Sequence, residues 1–216
     1  MPSLPDGGTA ARGDLGTGEG IADAAAGVDT VVHAATNPAR PRRIDVEGTR
    51  RLAAATGDAH FVYVSIVGVD RNPFPYYKRK WEAEQLVEST LPRWTIFRAT
   101  QFHDLLDKVF RPTPVVLAPR RFRFQLVDSG EVADRIAELV AAGPSARAAD
   151  MGGPEVRDMA DLARAWATLR GKRRLVARPP LPGRIARAFR DGANLCPDHA
   201  DGAVTWEQWL ERTNEP

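Results

Sequence analysis

The sequence predicts an α/β fold: a parallel sheet flanked by helices, followed by a small, mostly helical C-terminal part. Three observations carry that expectation. Strand-like and helix-like segments alternate through the first two-thirds of the 216 residues, which is the pattern of parallel strands joined by crossover helices. The stretch HFVYVSIVGVD holds an almost unbroken apolar run from Phe61 to Val67, as a strand covered on both faces requires. The last third changes to amphipathic helices with few strand signals. The division expected is residues 1–126 for the sheet domain and 127–216 for a part packed on it.

Taken in order, Thr9 to Leu15 reads as a short strand and IADAAA as a brief helix stopped by Gly27. VDTVVHAAT is a β-branched run ending in small residues. Arg43 to Thr56 has helical spacing, with Ile44, Val46, Leu52 and Ala55 apolar and Gly48 weakening it. After the Phe61–Val67 strand, NPFP breaks the chain, and Pro75 suits the first turn of the helix YYKRKWEAEQLVES. WTIFRATQF is the next strand, Trp94 to Phe102. FRFQLV is strand-like, and the helix after it carries Val132, Ile136, Leu139 and Val140 on one stripe. Asp158 and Asp161 open a helix as a capping-box variant, with Met159, Leu162, Ala163, Trp166 and Leu169 on its buried face. RPPLPG connects to the helix GRIARAFRDG, and Trp206, Trp209 and Leu210 form a closing docking stripe.

The bulk numbers exclude several classes. With 43% apolar and 27% charged residues, the chain has the composition of a globular protein rather than a disordered one. A net charge of +2 is too small to imply a nucleic-acid partner. One cysteine, Cys196, excludes an internal disulfide and suits a reducing, cytoplasmic setting. No apolar run is long enough for a membrane span, and the N-terminus lacks the pattern of a secretory signal.

Two glycine clusters near the start invite a phosphate-binding reading. A phosphate loop leaves a buried strand, turns on glycine and points helix amides at the anion. GGTAARG has no apolar strand before it and no helix after it. GTGEG leads only into the short IADAAA segment. Both are expected to be ordinary turns.

The strongest chemical constellation lies in VYVSIVGVDRNPFPYYKRKWEAE. Tyr76 and Lys80 are four residues apart on one helix and share a face. An ammonium beside a phenol favours the phenolate and lowers its pKa from about 10. Ser65, just past the apolar centre of a strand, is placed to hydrogen-bond a substrate oxygen. The competing reading is a surface tyrosine beside solvated lysines.

Other features are weaker. The four histidines are scattered, and Cys196 with His199 lacks the second pair that a zinc site needs, so no metal is expected. His103 with Asp104 reads either as an acid–base pair or as a loop histidine next to a helix cap. Arg184, Arg187 and Arg190 share a helix with Ile185 and Phe189, so they read as its wet face rather than as a phosphate-backbone contact.

The segments RGDL, GVDTVVHAAT, DVEGTRRLAAA, FVYVSIVGVDRNPFPYYKRKWEAE, WTIFRATQFHD and GGPE resemble, in order, the atypical short-chain dehydrogenase/reductases of the NmrA-like type, from about Ala11 to the C-terminus. The resemblance implies a Rossmann-like fold that binds NAD or NADP, with the C-terminal third building the pocket for a small-molecule substrate such as a carbonyl or quinone. It implies catalytic roles for Ser65, Tyr76 and Lys80. It implies cofactor contacts for Asp14 and Leu15 at the adenine, for Ala34, Ala35 and Thr36 at the ribose and phosphates, for Lys80 at the nicotinamide ribose, and for Ala99, Thr100 and Phe102 over the nicotinamide. Gln101 and His103 would line the substrate pocket. The same family includes nucleotide sensors without turnover, which keeps a regulatory reading open. The family's first strand, glycine loop, first helix and second strand have no counterpart here. The chain is therefore expected to be N-terminally truncated relative to the family, with an open edge at VVHAA and poor dinucleotide binding, or to be an inactive fragment.

Overall fold

The computed structural model describes residues 8–112 and 114–213. In chain order these form α1 (Ile21–Ala25), β1 (Thr30–His33), a π-helical segment (Arg42–Gly48) continuing into α2 (Thr49–Thr56), β2 (His60–Ile66), α3 (Pro75–Thr90), β3 (Trp94–Ala99) and α4 (His103–Phe110). Then come β4 (Val115–Leu117), β5 (Arg123–Phe124), α5 (Ser129–Ala142), β6 (Ala146–Arg147), β7 (Arg157–Asp158), α6 (Met159–Leu169), β8 (Leu175–Ala177), α7 (Arg184–Arg190) and α8 (Trp206–Arg212).

The main sheet has the order β1-β2-β3-β6, and every pairing in it is parallel. This is the α/β architecture expected. β2 is the most buried strand, with Phe61, Val62 and Tyr63 all at 0% exposure, because helices cover both its faces. Its unbroken apolar run is the direct consequence. Two small sheets lie apart from the main one: β4 with β8, parallel, and β5 with β7, antiparallel. Strands this short are set by their partners rather than by local preference, and neither the β4–β8 pair nor β6 was readable from periodicity.

Three local expectations need correction. Thr9–Leu15 is not a strand: its described residues are irregular and mostly exposed, and at its end Asp14 closes a tight turn in place of a ladder. Gly7 of GGTAARG lies outside the described residues. Asp161 does not cap α6. Asp158 alone accepts the Ala160 amide, while Asp161 turns outward to Arg164 at 2.7 Å. His103 is not in a loop but opens α4.

Among the described residues β1 pairs with β2 alone. Val32, on one face of β1, is 45% exposed.

Two kinds of core result. Under the sheet, Phe61, Tyr63, Leu86, Val87 and Ile96 pack with Ala83 between α3 and the strands. In the C-terminal part, Phe110, Trp166, Trp206, Trp209 and Leu210 form a larger aromatic core with the face of α6. α3 departs from simple amphipathicity, since Lys80 and Glu84 are on its buried face. Glu84 is held there by Arg98, at 2.9 and 2.6 Å, and by Arg147 at 3.0 Å. Gly68, with φ near +81°, lies against the far segment: a Cβ there would sit 1.8 Å from the Ala193 carbonyl oxygen. Among the described residues no helix is long and apolar enough to cross a membrane.

Candidate active site

The carboxyl ends of parallel strands are where an open α/β sheet presents ligands. Here that end gathers Ala34–Thr36 after β1, Ser65 in β2, and Ala99 and Thr100 at the close of β3. Beside β1 an open cleft of about 870 Å³ is lined by Asp14, Leu15, Ala35 and Thr36, among others. Four residues expected at the cofactor thus share one cavity, and Ala34, next to them, is exposed. The cleft is large enough for an extended nucleotide; small-molecule sites span about 300–1,000 Å³.

One wall of the cleft is the turn carrying GTGEG. Asp14 Oδ1 accepts the amides of Gly16 at 2.6 Å and Thr17 at 3.2 Å. The Gly18 amide goes to the Asp14 carbonyl, and the Glu19 amide to Thr17 Oγ1. Arg43 and Arg51 bind the Gly16 and Leu15 carbonyls at 3.2 and 3.0 Å and fix the turn from outside. Gly48 has its use here: a Cβ at that position would meet the Leu15 Cβ at 2.9 Å. The amides of residues 16 to 19 are all spent inside the turn.

Deeper in, Tyr76, Thr36, Asp45 and Lys80 form one connected group. The Thr36 hydroxyl donates to Asp45 Oδ1. Having a single proton, that hydroxyl accepts from the Tyr76 phenol, 2.7 Å away. Asp45 also accepts the Asn37 amide at 3.2 Å, and its Oδ1 lies 4.0 Å from Lys80 Nζ. Lys80 donates to the Val64 carbonyl at 2.8 Å and sits 4.2 Å above the Tyr63 ring. The π-helical turn brings Asp45 inward to 0% exposure, and π turns are frequent at functional sites.

The electrostatics differ from the simple expectation. Burial drives the Lys80 ammonium down to about 8, against the pull of Asp45 and Glu84. Burial pushes the Tyr76 phenol up to about 12, opposed by the Thr36 hydrogen bond and reinforced by the Asp45 charge. Burial outweighs the other influences on Tyr76, while the Lys80 ammonium is held by Asp45, the Val64 carbonyl and the Tyr63 ring. His33, behind this group, is bonded to Thr49 at 2.9 Å and is lowered to about 3 by burial and then by the Lys80 charge.

The Ser65 and Thr100 hydroxyls are 3% exposed and have no hydrogen-bond partner among the described residues. An orphaned buried donor at the ligand end of a sheet is a place where a bound group fits. Ala99 pairs with Ile66 and bridges to Met151, while Phe102 bridges to Val127. The residues present fit the nucleoside and nicotinamide ends of a dinucleotide.

Gln101 and His103 are both buried and are not among the residues lining the cleft beside β1. Gln101 donates to the Tyr77 hydroxyl at 2.7 Å and accepts from Asn194 at 3.3 Å, so its amide is occupied behind the pocket wall. His103 is 0% exposed, stacked on Trp206 and Trp209 with ring centroids 5.6 and 5.7 Å away. Asp45 is the residue that sequence reasoning missed. Its segment DVEG carried no signal beyond helical spacing.

Comparisons with known proteins agree with this arrangement. No curated protein matches the chain. Its fold is similar to an Escherichia coli NADPH-dependent quinone oxidoreductase solved with NADPH, with a TM-score of 0.73 at 13% identity over 94% of this chain and 82% of that one. It is also similar to a short-chain dehydrogenase/reductase superfamily protein from Agrobacterium tumefaciens with bound NAD, with a TM-score of 0.65 at 21% identity over 94% and 83%. A third similar structure is RMD from Pseudomonas aeruginosa complexed with NADPH, with a TM-score of 0.67 at 15% identity over 94% and 86%. At these identities the likeness shows a shared Rossmann-like reductase fold. A sequence-family model described as NAD(P)H-binding matches residues 1–142, about two-thirds of the sequence, and the chain belongs to that NAD(P)H-binding family.

Proposed function

We propose that the chain is an NAD(P)H-dependent oxidoreductase of the atypical, NmrA-like short-chain type, acting on a small carbonyl or quinone-like substrate. One observation supports this reading: Tyr76 through Thr36, and buried Lys80 directly, both lead to the Asp45 carboxylate beside a nucleotide-sized cleft, while the Ser65 hydroxyl near the carboxyl end of β2 has no partner among the described residues. Asp14, Leu15, Ala34, Ala35 and Thr36 hold the adenosine half of the cofactor, and Lys80, Ala99, Thr100 and Phe102 the nicotinamide half. The nicotinamide supplies or accepts the hydride when bound. Ser65 holds the substrate oxygen, and Tyr76 gives that oxygen its proton. Thr36 then turns its own proton from Asp45 toward the phenolate, which offsets the cost of a phenol held near 12. Lys80 stays oriented by Val64 and Asp45 to face the ribose.

We read the cofactor grip of this chain as weak, because the amides of residues 16 to 19 are unavailable to a pyrophosphate. Titration of NADH and NADPH into the purified chain tests that part; micromolar affinity overturns it. A second reading, a nucleotide-sensing regulator without turnover, is favoured by the high pKa of Tyr76 and by the closed hydrogen-bond chain it belongs to. Nicotinamide oxidation with a panel of quinones and aldehydes at saturating cofactor separates the two. Tyr76→Phe is expected to lower turnover by about 100- to 10,000-fold, the range for loss of a general acid. Equal rates in both forms remove Tyr76 from the chemistry, and cofactor binding without turnover supports the regulator.

A further inference from the structure

The opposite side of α3 carries a second cavity, independent of the reading above. It measures about 440 Å³ and lies between the loop of residues 69–73, α3 and α7. Lys78 and Trp81 form its α3 wall. At 3.6 residues per turn they lie about 140–200° around the helix from Tyr76, so this cavity faces away from the cleft beside β1.

Its chemistry is one-sided. Arg71, Lys78, Arg184 and Arg187 line it, against the carboxylates of Asp70 and Asp191. Asp70 is drawn off to Arg98 at 3.1 Å. The side chains of Lys78, Arg184 and Arg187 make no hydrogen bond or ion pair among the described residues, and Arg71 is close enough to Asp150 only to bear on its carboxyl. With Asp70 shared with Arg98, the four cations of the lining face one further carboxylate, Asp191, and keep a net positive charge that attracts an anion.

Asn72 supplies the second, independent observation. It is 2% exposed and lines the cavity. Its Oδ1 accepts the Phe74 amide at 3.1 Å, which orients the side chain. Its Nδ2 is buried with no partner among the described residues. A fixed amide donor without an acceptor, beside four cations, asks for an anionic oxygen. Trp81 is 39% exposed on the same wall, a flat apolar surface that an aromatic ring can cover.

We propose that this cavity binds a small molecule joining a phosphate to a planar ring, of the nucleoside monophosphate class. Asn72 and the arginines take the phosphate, and Trp81 stacks on the ring. The experiment titrates uridine 5′-monophosphate, chosen because it lacks the adenine expected in the cleft beside β1, into the full chain by calorimetry and by tryptophan fluorescence. Inorganic phosphate and uridine are titrated in parallel.

The expected result is saturable binding of the nucleotide, with phosphate or uridine alone weaker by about tenfold or more, since each loses one set of contacts. Arg71→Ala with Arg187→Ala lowers nucleotide affinity by about tenfold or more, as loss of charge-assisted hydrogen bonds does. Trp81→Phe abolishes the fluorescence change yet keeps the calorimetric affinity, whereas Trp81→Ala loses both. Asp14→Ala, on the other cleft, leaves the affinity unchanged. The side chains of Arg71, Trp81 and Arg187 are exposed, so their variants keep the melting temperature of the parent. Absence of saturable binding, affinity unaffected by the double variant, or affinity lost only in Asp14→Ala each overturns the proposal.

Discussion

Lys80 and His103 are hidden from water to nearly the same degree, at 3% and 0% exposure, yet their surroundings are opposite. Lys80 is met by a carbonyl, a carboxylate and a ring, and belongs to a chain of groups that ends at the Tyr76 hydroxyl on the edge of a cleft. His103 packs against a stacked pair of indoles, Trp206 and Trp209, and the charges that bear on it, such as Asp128 and Asp104, are more distant. Burial lowers both pKa values, to about 8 and about 4. The first group stays partly charged near neutrality and can hold an orientation through charge. The second is neutral and acts as one more flat ring in an aromatic stack. Burial of a titratable residue thus says little about function until its partners and its route to solvent are known.

The comparison breaks first where packing is densest. Trp206 is stacked on both His103 and Trp209, and its indole N–H donates to the Leu162 carbonyl at 3.0 Å. Trp206→Ala is expected to cost about 3–5 kcal/mol, read as a shift in the urea midpoint at constant slope. If the C-terminal core were loosely packed, that shift would be small.

Lys80→Met is next. It leaves Asp45 buried without its cation, and removing one partner of a buried pair costs about 3 kcal/mol or more. Asp45→Asn combined with Lys80→Met should recover part of that loss, because two neutral groups no longer need each other. A double-mutant cycle in urea measures the coupling, and strict additivity would show that the 4.0 Å pair is not energetically linked.

The smallest effect is the most discriminating. His103 has a folded pKa near 4, below its unfolded value of about 6.5, so the unfolded chain binds the extra proton first. The contribution from keeping this ring neutral is complete above pH 6.5 and is lost as pH falls toward 4. His103→Phe should flatten the decline in stability over that window while changing stability at pH 8 by about 1 kcal/mol or less. An unchanged slope would assign the decline to other groups, His33 and His60 among them, whose values burial also lowers.

Much of the fold was legible because its signals are local. The apolar run of β2, the Pro75 start of α3, and the stripes of α5, α6 and α8 each follow from the order of residues. The parallel pairing of β1, β2 and β3 follows from their alternation with helices. Tyr76 and Lys80 could be singled out by spacing alone. What could not be read depends on distant partners. Asp45 matters through residues 9 before it and 35 after it, and nothing in DVEG announces a π turn. β4 and β8 are defined by each other across about 60 residues. His103 looked chemical because histidine next to aspartate is suggestive, while the two tryptophans that enclose it lie about 100 residues away. The fate of the Lys80 charge was hidden for the same reason: its competitors come from β2 and the π-helical segment.

The contact at Gly68 has a mechanical meaning. With no room even for a methyl group against residue 193, the turn at residues 68–71 packs directly on the segment that carries Asn194. Asn194 in turn grips Gln101, and Gln101 grips Tyr77. Enlarging residue 68 should therefore be felt at the base of α3, far from the graft itself, and a loop graft that respects this joint must leave residue 68 as glycine.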